Sequence, residues 1–146
     1  MADGIFNTAK GAGRQLADDN TGALVVLLLQ ANEVDATLVD HDNVSAMLGA
    51  AGNTEATFTN YSRKTGLAEA TTIDDSADTA AIDVPDQTWI GAGGTTDNAL
   101  TKLIVCVQTG ADDTTLIALS HHDFPVTTDG TDLTAQFDAA GFYKAS

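Results

Sequence analysis

The apolar positions of this chain fall in short runs and alternations rather than at helical spacing. Ala23 to Leu29 is an unbroken apolar run bounded by Thr21-Gly22 and Gln30, which is the length and flanking of a strand buried on both faces; a buried helix is the competing reading. Glu55 to Tyr61 alternates small or polar groups with larger ones and predicts a strand with Phe58 on its inner face. Leu67 to Ile73, Ala80 to Val84 and Gln87 to Ile90 predict further strands, with an acidic turn at Asp74 to Asp78 and a flexible loop at Gly91 to Gly94. Leu103 to Val107 and Leu116 to Leu119 flank the turn Gly110-Ala111-Asp112-Asp113 and predict a hairpin of central strands. Leu133 to Phe137 and Gly141 to Tyr143 close the series. One helix interrupts it, because Asp42-Asn43 caps the apolar run Val44 to Leu48 and Gly49 follows. Short strands at this spacing define a mainly β fold, a single-domain antiparallel β-sandwich or partly open barrel, with one short helix near 43–49. Residues 1–20, with few large apolar groups, read as an extended N-terminal arm or a frayed short helix, ahead of a β-rich globular domain at 21–146.

Composition narrows the class. A chain of 146 residues with 43% hydrophobic positions builds one core without disulfides, and its single cysteine, Cys106, forms neither a disulfide framework nor a thiolate zinc site. In the middle of Leu103 to Val107 that thiol reads as a small core hydrophobe. The longest apolar run is far short of the roughly 20 residues that span a bilayer, and no basic-then-apolar leader opens the chain, so a non-exported protein away from membranes is expected. Twenty-one acidic residues against six basic ones leave a net charge of −15. The six cations, Lys10, Arg14, Arg63, Lys64, Lys102 and Lys144, are scattered, which argues against nucleic acid, because phosphate binding needs clustered Lys and Arg.

Candidate chemistry is sparse. His121-His122-Asp123 is the most reactive-looking cluster, but adjacent strand residues point to opposite faces, so the two imidazoles do not converge on one metal or substrate without a bulge. Gly91 to Thr96 lacks the lysine of a phosphate-binding loop. Asp40-His41-Asp42 and Asp129-Gly130-Thr131-Asp132 read as Asx turns rather than calcium loops. No catalytic residue, metal ligand or cofactor site is expected.

Five stretches carry a resemblance: Asp35 to Asp42, Asn60 to Thr65, Asp83 to Trp89, His122 to Gly130 and Ala140 to Tyr143. In order and phrasing, from about Gly22 to Ala145, the chain resembles small head-decoration or minor capsid proteins from the virions of tailed bacteriophages, particularly those infecting actinobacteria. The resemblance implies a non-enzymatic role. Such a protein, made in the host cytoplasm, would decorate the outer surface of the capsid and bridge major capsid protein subunits, as a homo-oligomer expected to be a trimer. In the N-terminal arm, Lys10 and Arg14 would pair with acidic groups on the shell while Ile5 and Phe6 fill an apolar notch. The alternatives are a phage tail component, either tail tube or minor tail protein, and, from another class, a calcium-dependent carbohydrate-binding β-sandwich.

Overall fold

The computed structural model describes residues 3–10, 23–77, 79–138, 141 and 143–145, with 79, 80 and 143–145 described as backbone. Its centre is a ladder of three long strands, β2 (Leu24–Ala31), β8 (Lys102–Gln108) and β9 (Leu116–Asp123). The predicted run of 23–29 becomes β2 because a strand covered on both faces needs no polar side. Leu24, Val26 and Leu28 face one layer, and Val25, Leu27 and Leu29 face the other. β8 pairs antiparallel with β2 and with β9, so the hairpin expected around Gly110 to Asp113 is present. Its turn is closed locally, with Asp112 accepting from the Thr114 amide and hydroxyl.

The sheet is six-stranded and antiparallel. β1 (Gly4–Ile5) lies outside β9, while β3 (Thr54–Glu55) and β4 (Lys64–Leu67) share the far side of β2. One face carries the helices α2 (Asp35–Leu38) and α3 (Val44–Gly49), which bury Leu38, Val44 and Met47 against Val25, Leu27, Ile104 and Cys106. The predicted cap holds, since Asn43 Oδ1 accepts from the Ala46 amide at 2.9 Å. The other face is covered by two small antiparallel sheets. One pairs β7 (Gln87–Trp89) with β10 (Leu133–Ala135); the other orders β11 (Tyr143–Ala145), β6 (Thr79–Asp83) and β5 (Ala70–Asp74). Trp89, Ile82, Val84, Phe58 and Ala135 meet Leu103, Val105 and Val26 in this second core. The domain is therefore mainly β with antiparallel sheets, as expected. Among the described residues, no helix is long and apolar enough to cross a membrane.

Three expectations are corrected. The strand predicted over 55–61 ends at Glu55, because Tyr61 turns back on Phe58 (amide to carbonyl, 2.9 Å) and Asn60 takes φ 69°. The strand predicted over 67–73 is two strands in different sheets, β4 ending at Leu67 and β5 starting at Ala70. The third is the extended arm, corrected over residues 3–10 alone, since the rest of the predicted segment 1–20 lies outside the described residues. Residues 3–10 form β1 and the short helix α1 (Asn7–Lys10) against the domain, with Phe6 and Ala9 fully buried. Phe6 is spent in this chain's own core, next to the helices, and so is not an anchor presented to another surface. Ile5 packs against the other core, and Lys10 Nζ donates to Asn7 Oδ1 at 2.6 Å. Arg14 lies outside the described residues.

Candidate functional site

The reactive-looking cluster and the N-terminal segment meet. β9 carries one extra residue at Leu119, since Val105 pairs with Ser120 but Cys106 pairs with Ala118. That bulge decides where the histidines point. His121 faces the helical layer, where its ring meets Phe6 edge-on at 5.9 Å; His122 faces the opposite layer. The two imidazoles diverge, as strand geometry requires.

His121 is 2% exposed, and its Nδ1 has no hydrogen-bond partner. The residue across from it on β1 is Gly4, and the ring occupies the space a side chain there would need, with Cε1 3.0 Å from an ideal Cβ. Burial is the larger force on this imidazole and nearby Lys102 the next; together they push its pKa below the ordinary histidine value. His122 sits between Ser120 Oγ, 2.9 Å from its Nε2, and Asp3 Oδ2, 3.5 Å from its Nδ1. Burial again lowers the pKa, against the pull of Asp3. Asp3 Oδ1 also accepts from the Asp123 amide at 3.0 Å, so one carboxylate pins the start of the chain to the end of β9.

Ser120, His122 and Asp3 stand in the order nucleophile, base and orienting acid. A cleft of about 370 Å³ opens beside them, lined by His122, Phe124, Gln136, Phe137 and Asp138 among others. Ser120 itself is fully buried and is not part of the lining, so the hydroxyl is shielded from a substrate in that cleft. Asp123 turns the other way. With Asp35 (2.8 Å) it holds the buried ammonium of Lys102. Burial works against that charge, but the hydrogen bonds to Asp123 and Asp35 raise the Lys102 pKa above the ordinary lysine value. The group acts as a clamp between α2 and the sheet.

A second candidate surface is built from loops. Residues 57–61, 90–98 and 126–132 are tied into one platform. Thr59 donates its amide to Thr96 and accepts from Gly93, Ala92 exchanges backbone bonds with Thr131 and Gly130, and Asn98 does so with Thr128 through hydroxyl and carbonyl. Asn60 Nδ2 reaches the Gly91 carbonyl and Asp132 accepts from the Gly91 amide. Gly94 and Gly130 approach so closely that a Cβ on Gly94 would lie 3.3 Å from Gly130 Cα, at φ 88°. The loop predicted to be flexible is thus held at many points. Beneath it, Trp89 Nε1 donates to the Ser62 carbonyl at 2.8 Å, and Lys64 Nζ lies 5.2 Å from the indole. Within it, Ile90 is 68% exposed.

The remaining sequence candidates have local duties. Asp129 closes a turn on Thr131, Asp40 accepts from Asn7, and His41 pairs with Glu33 at 2.7 Å. Among the described residues, no group of three or more His, Cys, Asp or Glu side chains is arranged to hold a metal. Cys106 is buried in the core as expected, which pushes its thiol pKa up and leaves it protonated. Sequence reasoning missed the Arg63 fork, which joins Glu55 (2.7 Å) to Asp113 (2.6 Å) across distant segments. No protein-family model, curated protein or solved structure matches the chain.

Proposed function

We propose that this is a non-enzymatic virion structural protein that decorates a phage capsid and bridges major capsid protein subunits. The loop platform is the observation that carries the reading. It is a pre-organised, irregular surface that includes the exposed Ile90, the form of a small interaction face on a rigid β scaffold. Two of the stretches that resemble virion proteins, 60–65 and 83–89, meet next to these loops in sequence through Ser62, Lys64 and Trp89. A net charge of −15 suits a position facing solvent and away from packaged DNA. Docking through the platform rather than through an extended arm accords with the burial of Phe6. The test is copy number in purified particles by quantitative mass spectrometry, with Ile90→Asp as the variant. A copy number comparable to the shell subunits, lost in Ile90→Asp while the fold is retained, supports decoration. A number matching tail rings assigns the protein to the tail, and absence from particles overturns the reading.

The order Ser120, His122, Asp3 favours one alternative, an acyl-transfer enzyme. It requires Ser120 to become accessible. Covalent labelling by a fluorophosphonate probe, lost in Ser120→Ala, would establish it; an unlabelled protein rejects it.

A further inference from the structure

We propose that residues 3–10 are a proton-released strap, closed over His121 while that imidazole is neutral and freed from the sheet when it takes a proton. The inference is independent of the decoration reading and rests on how the segment is seated. β1 contributes only two residues to the ladder on β9, Gly4 opposite His121 and Ile5 opposite Ser120. Beyond it, the Phe6 amide donates to the Leu119 carbonyl and the Asn7 amide to the Val39 carbonyl, both at 3.0 Å. The Phe6 ring supplies the buried apolar contact. Against these stand two polar atoms buried without a hydrogen-bond partner, His121 Nδ1 beneath the strap and Thr8 Oγ1 within it. A neutral imidazole tolerates one unpaired ring nitrogen as a bare acceptor. A protonated one carries an N–H on both nitrogens and a full charge, and leaving that donor unpaired under Gly4 and Phe6 is far more costly.

The charges around the ring decide the sign. From β8 comes Lys102, a fixed cation that opposes a second one. From α2 comes Asp35, whose attraction for a charged His121 is shared with the Lys102 ammonium it already holds at 2.8 Å. From β9 comes His122, which adds repulsion when charged, and from the strap itself Asp3, which adds attraction. Burial and Lys102 prevail, so His121 binds its proton less readily with the strap closed than its unperturbed value of 6.5 would give. Only the burial is relieved when the strap opens, since Lys102 stays on β8, so the closed strap is fully stable where the exposed imidazole is neutral, in the range above that value. It weakens as pH falls through it, by up to about tenfold in the closed-to-open ratio per pH unit while the open form alone takes the proton. Charged His122 attracts Asp3, but its own burial also disfavours the proton, so a variant at His122 serves as the control for its share. The two histidines are thereby separable.

The experiment is amide exchange by NMR from about pH 7.5 to about pH 5, corrected for intrinsic rates, comparing Phe6 and Asn7 with Val105 at the centre of the sheet. Expected is a fall of about tenfold or more in the protection of Phe6 and Asn7 relative to Val105 in the wild type. The fall should vanish in His121→Leu and in the more polar His121→Gln, which guards against a packing defect in either one, and persist in His122→Asn. Constant relative protection in the wild type overturns the proposal. So does a fall that survives both His121 variants, or one abolished by His122→Asn, which would assign the effect to Asp3 and His122.

Discussion

The loop platform and the N-terminal strap both carry little regular structure, and they are held by opposite means. The platform is a lattice of polar bonds in which backbone donors of three segments find acceptors, so each loop fixes the shape of the next. The strap is held by one aromatic plug, a two-residue ladder, the Asp3 carboxylate and three bonds from Phe6 and Asn7, with unpaired polar atoms at its interface. Hydrogen bonds are directional and specify one geometry, whereas a buried ring contributes mainly through its area and leaves a segment able to come away as a unit. The first arrangement suits a surface recognised by shape, and the second suits a part that moves.

Three substitutions test that contrast. The largest effect is expected from Trp89→Ala beneath the platform, where an indole that is 1% exposed and bonded to the Ser62 carbonyl is lost. The global unfolding free energy in urea should drop by about 3–5 kcal/mol. Asn98→Ala comes next. Its side-chain oxygen accepts from the Thr57 amide at 2.6 Å, and that donor would be stranded at a cost of about 1–3 kcal/mol, with exchange rising across the platform loops. Phe6→Ala should cost the least globally, about 1–2 kcal/mol, although a fully buried phenylalanine in a fixed core would cost as much as the tryptophan. The loss is capped because the strap opens before the sheet does, so exchange should rise in residues 3–10 and stay unchanged at Val105. A Phe6→Ala penalty equal to that of Trp89→Ala would make the strap part of the cooperative core and erase the distinction.

Much of the frame was legible from local pattern. The run that became β2, the paired runs of β8 and β9 with Asp112 at their turn, and the Asn43 cap all express preferences set within a few residues. The alternation over 55–61 misled, because Phe58 and Tyr61 reach the core from a turn rather than a strand. Tyr61 places its hydroxyl on the Leu28 amide and the Glu55 carboxylate, which no period of two requires. At the candidate site, the divergence of His121 and His122 was readable from strand geometry, but their partners were not. Asp3 lies 120 residues from Asp123, and nothing local marks that pairing.

Composition and short-range pattern were enough to settle that this acidic chain folds as a mainly β domain, that Asn43 caps a helix within it and that Cys106 is core, but not that short helices also form at Asn7–Lys10 and Asp35–Leu38. Such features follow from how each residue partitions between water and apolar surroundings and from its own backbone preferences. Three matters arose only on folding: the burial of Phe6, the closing of the loops around Gly94 and Gly130, and the face each histidine took. The last turned on a single extra residue in β9. In a structure of period two, one added residue moves every later side chain to the other layer, and only pairing with β8 reveals where it was added.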